Sequence, residues 1–149
     1  KGNQHMIKVA IMGHGTVGSG VYEVFDMNAD KIAKTVGEPV EVKYVLDLRD
    51  FSSLPYGNKF VTDFYHRERP EVTVVAEVMG GVGAAYQSPT LLEAGKSVCT
   101  SNKELVATKG EELLKIAEEH GVNYMFEASV GGGIPVIRPM LQCLAANEF

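Results

Sequence analysis

Cysteine is scarce. Only Cys99 and Cys143 occur in 149 residues, and they stand far apart. That spacing supports neither a disulfide framework nor a thiolate metal knuckle, and it suits a reducing cytoplasm. Runs of lysine and arginine are absent, the net charge is −5 and the pI is about 5.4. Nucleic acid and anionic membrane surfaces are therefore not expected partners. No apolar stretch is long enough to cross a bilayer, and no secretory signal pattern occurs. Internal repeats and low-complexity segments are also missing. What remains is 45% hydrophobic and 22% charged, the composition of a soluble globular chain with enough apolar residues for a core. The length suits one domain or a piece of a larger protein. Residues 1–6 break the pattern that follows and read as a tag remnant.

The strongest local pattern runs from Ile7 to Gly20. Ile7, Val9 and Ile11 make a short buried strand. The chain then passes through Gly13, Gly15 and Gly18, spaced G-x-G-x-x-G, and enters a helix. Each glycine has a separate use in such a loop. Gly13 permits the tight turn, Gly15 leaves room for a pyrophosphate, and Gly18 lets the helix pack close to the strand. The free N–H groups and positive dipole end of that helix face the phosphates. The spacing alone is a weak signal, and a glycine-rich turn in some other α/β fold is the bland alternative. The strand before it and the helix after it supply the context that favours dinucleotide binding.

Helical spacing of Val17, Val21, Val24, Phe25 and Ile32 predicts a first helix from Thr16 to the late twenties or thirties. Val40–Leu46 alternates as a second strand, and Phe51–Asn58 has the composition of a loop. Phe60–Pro70 carries no clear pattern. The β-branched run Val72–Met79 predicts a central parallel strand. A short helix over Pro89–Ala94, capped by Ser88, and a strand over Ser97–Thr100 follow. Cys99 in that strand reads as core filler rather than a nucleophile. Lys103–Thr108 has helical character, and Gly110–His120 is an amphipathic helix. Asn123–Ala128 reads as a strand and Ile134–Ala146 as a helix with Pro135 near its start. Strands alternating with helices predict a doubly wound parallel α/β sheet of Rossmann type.

Ligands of open α/β sheets bind beyond the carboxyl ends of the strands, and three stretches fall there. Asp47-Leu48-Arg49-Asp50 ends the second strand. An acid there suits the ribose 2′-hydroxyl of NAD and an arginine the 2′-phosphate of NADP, so the choice stays open; a solvated charged loop is the alternative. Thr100-Ser101-Asn102-Lys103 ends the strand before the amphipathic helix. A lysine beside a nicotinamide could exchange a proton with a hydroxyl or carbonyl, although most lysines are simply solvated. Glu127–Pro135 contains Gly131, Gly132 and Gly133. Exposed carbonyls and a carboxylate suit a hard cation or a substrate contact, and a plain strand-to-helix turn is the alternative.

Together these residues resemble the amino-terminal part of homoserine dehydrogenases. The resemblance covers Ile7 to Phe149 and is carried by G-H-G-T-V-G-S-G (Gly13–Gly20), V-V-A-E-V-M-G-G (Val74–Gly81), E-A-G-K-S-V-C-T-S-N-K-E-L (Glu93–Leu105) and F-E-A-S-V-G-G-G-I-P-V-I-R-P (Phe126–Pro139). It implies NAD(P)-linked interconversion of L-homoserine and L-aspartate 4-semialdehyde, a step towards threonine and methionine, in a cytoplasmic homo-oligomer. By that resemblance Gly13, Gly15, Thr16, Val17 and Gly18 hold the pyrophosphate. Arg49 lies near the adenosine phosphate, Ser101 and Lys103 border the nicotinamide, and Lys103 moves the proton. Carbonyl oxygens of Glu127, Val130, Gly132 and Ile134 hold a monovalent cation, usually sodium. His14 departs from the family's usual apolar residue and reads as a neutral first-turn residue. The family's substrate-holding region lies beyond Phe149. Residues 7–136 are thus expected to form the NAD(P)-binding domain and 137–149 to begin the catalytic and dimerisation region, with the piece inactive alone. Two other readings fit the fold: a non-catalytic NAD(P) sensor, or another amino-acid-pathway dehydrogenase.

Overall fold

The computed structural model describes residues 6–63 and 69–143, so residues 1–5 of the expected tag remnant and residues 144–146 of the helix expected over Ile134–Ala146 lie outside the described residues. Six parallel strands form one sheet in the order β3-β2-β1-β4-β5-β6. They are β1 (Ile7–Met12), β2 (Val40–Leu46), β3 (Phe60–Val61), β4 (Val72–Glu77), β5 (Ser97–Thr100) and β6 (Tyr124–Met125). The helices are α1 (Thr16–Met27), α2 (Ala29–Val36), α3 (Val82–Ala85), α4 (Ser88–Glu93), α5 (Lys103–Glu119) and α6 (Ile137–Cys143). This strand order belongs to dinucleotide-binding sheets, in which the direction of winding reverses beside β1 and opens a crevice there. The expected Rossmann-type doubly wound fold is the one observed.

The alternation of β1 explains the layers. Ala10 and Met12 face one side, where Val72, Val75 and Val98 meet Leu91 and Leu92 of α4 and Leu105, Leu113 and Ala117 of α5. Ile11 faces the other side with Val42 and Val45, against Val21, Tyr22 and Phe25 of α1. Burying each of those leucines stabilises the layer by about 1.5–3 kcal/mol. That outweighs the cost of about 1 kcal/mol for a glycine inside a helix, which is why α5 runs unbroken through Gly110. Sequence periodicity had split this element into two.

The first helix starts at Thr16 and ends in the late twenties as expected, at Asn28, whose side chain donates to the Val24 carbonyl and whose backbone leaves helical geometry; Ile32 of the same pattern falls in α2. Other boundaries move. α4 begins one residue earlier than expected, with Gln87 rather than Ser88 at its cap position and no capping side-chain bond. The strand expected over Asn123–Ala128 is only Tyr124–Met125; a 3-10 turn at Glu127–Ser129 replaces the rest, because Ser129 Oγ turns back onto the Phe126 carbonyl at 2.6 Å. α6 starts at Ile137, three residues after its expected start, and leaves Pro135 outside.

Cys99 corrects a further expectation. It is exposed, not core filler. Val98 and Thr100 take the α4–α5 side of the sheet, so Cys99 takes the opposite one, in register with Ala76 and Met125. On that side α1 packs mainly on β1 and β2, and α2 on β2. Desolvation pushes the Cys99 thiol up, away from the thiolate form that a nucleophile needs.

Candidate cofactor-binding site

The glycine loop has the geometry its spacing predicts. Gly13 sits at φ +101°, where a side chain would also meet Met79 Cγ at 3.0 Å. A Cβ on Gly18 would lie 1.9 Å from the Gly13 carbonyl oxygen, so α1 packs against the turn as only glycine allows. A Cβ on Gly15 would meet nothing within 4 Å, which leaves open space over the loop. Gly15 is the N-cap of α1 and no side chain caps it; the first intrahelical backbone bond runs from Ser19 N–H to the Gly15 carbonyl. The N–H groups of Thr16, Val17 and Gly18 are therefore left for an anion, and no acidic residue occupies the first turn.

At the end of β2, Asp47 and Arg49 bind one another and the loop. Asp47 Oδ1 accepts from Arg49 N and Nε at 3.0 Å each, and Oδ2 accepts from His14 N and Arg49 Nη2 at 2.9 Å each. Those four bonds fill the carboxylate's roughly four acceptor positions. Arg49, foremost, and the backbone donors hold the Asp47 carboxyl well below the usual carboxylate range. Arg49 Nη2 also donates to the His14 carbonyl at 2.9 Å, and the guanidinium lies 5.0 Å from the Phe51 ring centroid. Its side chain stays 62% exposed, so it remains accessible to a ligand from the crevice.

His14, expected as a first-turn residue, precedes α1 instead, and its ring is buried. Phe51, Tyr56 and Phe60 surround it edge-on at 4.7–5.8 Å, and Tyr22 stacks on Tyr56. Burial pulls its pKa down, which agrees with the expected neutral state. The segment from Phe51 to Lys59 is a series of tight turns that brings these rings over the loop.

Lys103 is the first residue of α5 and is exposed at the same carboxyl edge of the sheet, beside the half-buried Ser101. Asn102 caps the helix, its Oδ1 accepting from Leu105 N–H at 3.1 Å. This cap escaped the reading of the sequence, although Asn before a helical run is its usual signal. Glu77 was also missed. It ends β4, is fully buried, and binds both Met79 N–H and the Thr100 hydroxyl. The visible clue was a single carboxylate at the end of a β-branched, largely apolar strand, Val72–Glu77.

The Glu127 turn differs from a simple carboxylate ligand. The Glu127 side chain accepts from the N–H groups of Val136, Ile137 and Arg138 at 2.5, 2.9 and 2.9 Å, and so caps α6. Desolvation opposes ionisation of its carboxyl, but the three backbone donors and Arg138 outweigh it and hold the pKa below normal. Gly131 and Gly132 adopt left-handed φ of +74° and +60°. The carbonyls of Val130, Gly132 and Ile134 accept no hydrogen bond among the described residues, while that of Glu127 takes Val130 N–H at 3.2 Å. No cluster of cation-binding side chains occurs among the described residues.

Comparison with known proteins gives the same assignment. The family described as homoserine dehydrogenase, NAD binding domain, matches residues 13–127. A homoserine dehydrogenase of Pseudomonas aeruginosa is 40% identical over 146 residues, covering 96% of this chain and 34% of that protein. The crystal structure of a homoserine dehydrogenase from Thiobacillus denitrificans superposes with a TM-score of 0.87 at 35% identity, over 97% of this chain and 35% of that one. A hyperthermophilic archaeal homoserine dehydrogenase mutant in complex with NADPH shares the fold, with a TM-score of 0.74 at 24% identity, over 91% of this chain and 48% of that one. The chain spans about a third of the length of the curated relatives it matches.

Proposed function

Since the chain belongs to the homoserine dehydrogenase family, matching its NAD-binding domain, we propose that it is the cofactor-binding part of an enzyme that interconverts L-homoserine and L-aspartate 4-semialdehyde on the route to threonine and methionine. The observation that carries this reading is the crevice itself. Open N–H groups at α1, the exposed Arg49 and the exposed Lys103 all lie along the carboxyl edge of one parallel sheet. When bound, NAD(P) supplies the hydride chemistry. Thr16, Val17 and Gly18 receive the pyrophosphate. Ser101 and Lys103 border the nicotinamide, and Lys103 exchanges the substrate's hydroxyl proton. Residues 7–136 form the cofactor unit and 137–149 begin the catalytic and dimerisation region of a cytoplasmic homo-oligomer. The free carbonyls of Val130, Gly132 and Ile134, with that of Glu127, support a monovalent cation such as sodium.

The cofactor in this reading is NADP rather than NAD. Asp47 has no acceptor position left for a ribose hydroxyl, whereas Arg49 keeps exposed donors for a 2′-phosphate. Arg49→Ala is expected to lower the NADP/NAD affinity ratio by about tenfold or more, the loss of a charge-assisted hydrogen bond together with release of the Asp47 charge. Calorimetric titration of both cofactors measures the ratio; an unchanged ratio would remove Arg49 from the 2′-phosphate site.

The chain alone is expected to bind cofactor without turning over homoserine. Holding the reacting carbon in a near-attack arrangement supplies about 7–11 kcal/mol of a barrier, and no element among the described residues encloses an amino acid against Lys103. The test mixes the purified chain, NAD(P) and L-homoserine at alkaline pH and follows the absorbance of reduced cofactor. Steady turnover that scales with chain concentration and vanishes in Lys103→Ala would show a complete active site and overturn the proposal of a partial one.

A further inference from the structure

We infer that Glu77 is a positioning residue for the nicotinamide half of the site: its carboxylate closes a ring of hydrogen bonds that fixes the Met79–Gly81 turn and the start of α5, and hence Lys103, against one another. The ring can be followed atom by atom. Glu77 Oε1 accepts from Met79 N–H at 2.8 Å, and Oε2 accepts from Thr100 Oγ1 at 2.6 Å. Thr100 Oγ1 accepts from Asn102 N–H at 3.0 Å. Asn102 Nδ2 donates to the Gly81 carbonyl at 2.7 Å, which returns the ring to the turn after β4. Asn102 Oδ1 meanwhile caps α5, whose first residue is Lys103. A backbone bond from Ser101 N–H to the Glu77 carbonyl, 3.2 Å, ties the same two strand ends.

Two physical features argue that this carboxylate has a specific task. First, it is fully buried, and no cation pairs with it among the described residues. Carboxylates are rarely buried unless paired, because desolvation is costly. Burial pushes the Glu77 pKa up, and the Thr100, Met79 and Asn102 donors only partly offset that. Secondly, an ionised carboxylate only accepts. Thr100 must then donate its hydroxyl proton to Glu77, which leaves its lone pairs for Asn102 N–H. Glutamine has the same shape but one acceptor oxygen; with that oxygen on Met79 N–H its amide must donate to Thr100 Oγ1, which reverses that bond and leaves the Thr100 hydroxyl proton without its acceptor. The direction of the whole ring depends on the acid. The ring lies at the ends of β4 and β5, the half of the sheet opposite the Asp47–Arg49 end. In a sheet built from two mononucleotide halves, that is the half facing the nicotinamide.

This inference rests on the cofactor reading above, and the test separates the two. Calorimetry compares NADPH with 2′-phospho-ADP-ribose, which lacks the nicotinamide, on the chain and on its Glu77→Gln, Thr100→Val and doubly substituted variants. Loss of one buried hydrogen-bond partner is expected to weaken NADPH by about tenfold, and 2′-phospho-ADP-ribose by less than about twofold. The double variant is expected to be no weaker than the worse single one, since both break one ring. Equal weakening of both ligands would make Glu77 a general stability residue, and no weakening of either would make the ring irrelevant to binding; each result overturns the inference. If Glu77→Gln does not fold, the near-isosteric Thr100→Val carries the same comparison. If the unsubstituted chain binds neither ligand, the cofactor reading fails and the inference falls with it.

Discussion

In the complete enzyme, Lys103→Ala is expected to lower kcat by about 10²–10⁴-fold, the range typical for loss of a positioned acid or base, with a much smaller change in KM. Lys103 is the first residue of α5, exposed at the carboxyl edge of the sheet, and its backbone is fixed by the Asn102 cap. An interaction made only in the transition state appears in kcat and not in ground-state binding. Lys103→Arg should not restore activity, because guanidinium does not release its proton at any useful pH. Steady-state kinetics of both variants check this, with cofactor affinity measured separately to show that the site is intact. A Lys103→Ala enzyme with near-normal kcat would reduce Lys103 to a positioning role.

Gly18→Ala is expected to destabilise the fold by about 3 kcal/mol or more, the upper range for overpacking. In a domain of this length that lowers Tm by about 10 °C. The new Cβ would lie 1.9 Å from the Gly13 carbonyl oxygen and 2.8 Å from its carbon, both backbone atoms, so relief requires α1 to move off the turn. Gly20→Ala in the same helix is the control. Its Cβ meets nothing within 4 Å, and alanine in a helix interior is favoured by roughly 0.5–1 kcal/mol. Thermal unfolding of the two variants should therefore move in opposite directions. Equal Tm values would mean that close packing of α1 on Gly13 is not what position 18 requires.

The features legible in the sequence were those set by neighbours in the chain. The glycine spacing states its own turn, and the β-branched run at Val72 states a strand buried between two others, because parallel strands lose the polar alternation of half-exposed ones. The unread features depend on distant partners. Arg49 and Asp47 pointed to two different cofactors while they were considered singly. Folding joins them, and His14, 33 residues from Asp47, supplies the donor that completes the carboxylate's set. The burial of His14 needed Phe51 and Tyr56, from a segment with only turn signals, and Phe60, from a stretch with no clear pattern. Lys103–Thr108 and Gly110–His120 read as separate helical stretches because propensity is local, whereas the packing of Leu105 and Leu113 that holds α5 together is not. Cys99 read as core filler because buried cysteine is common, whereas its exposure depends on which face of β5 is left uncovered once the helices have packed. Glu127 read as a carbonyl and a carboxylate for a cation or a substrate, whereas its side chain caps α6, a role set by residues 136–138 folding back onto it.

Cofactor binding at the glycine loop is tested most directly by calorimetric titration of NADPH into the chain and into its Gly15→Val variant. A Cβ at position 15 meets nothing within 4 Å, so valine there is expected to leave the fold intact and to intrude on a bound pyrophosphate. One-site saturable binding at roughly micromolar to millimolar Kd is expected for the unsubstituted chain, and no measurable binding for Gly15→Val at an unchanged Tm. Equal affinity in the two proteins, or no binding by the unsubstituted chain, would contradict a pyrophosphate seated on this loop.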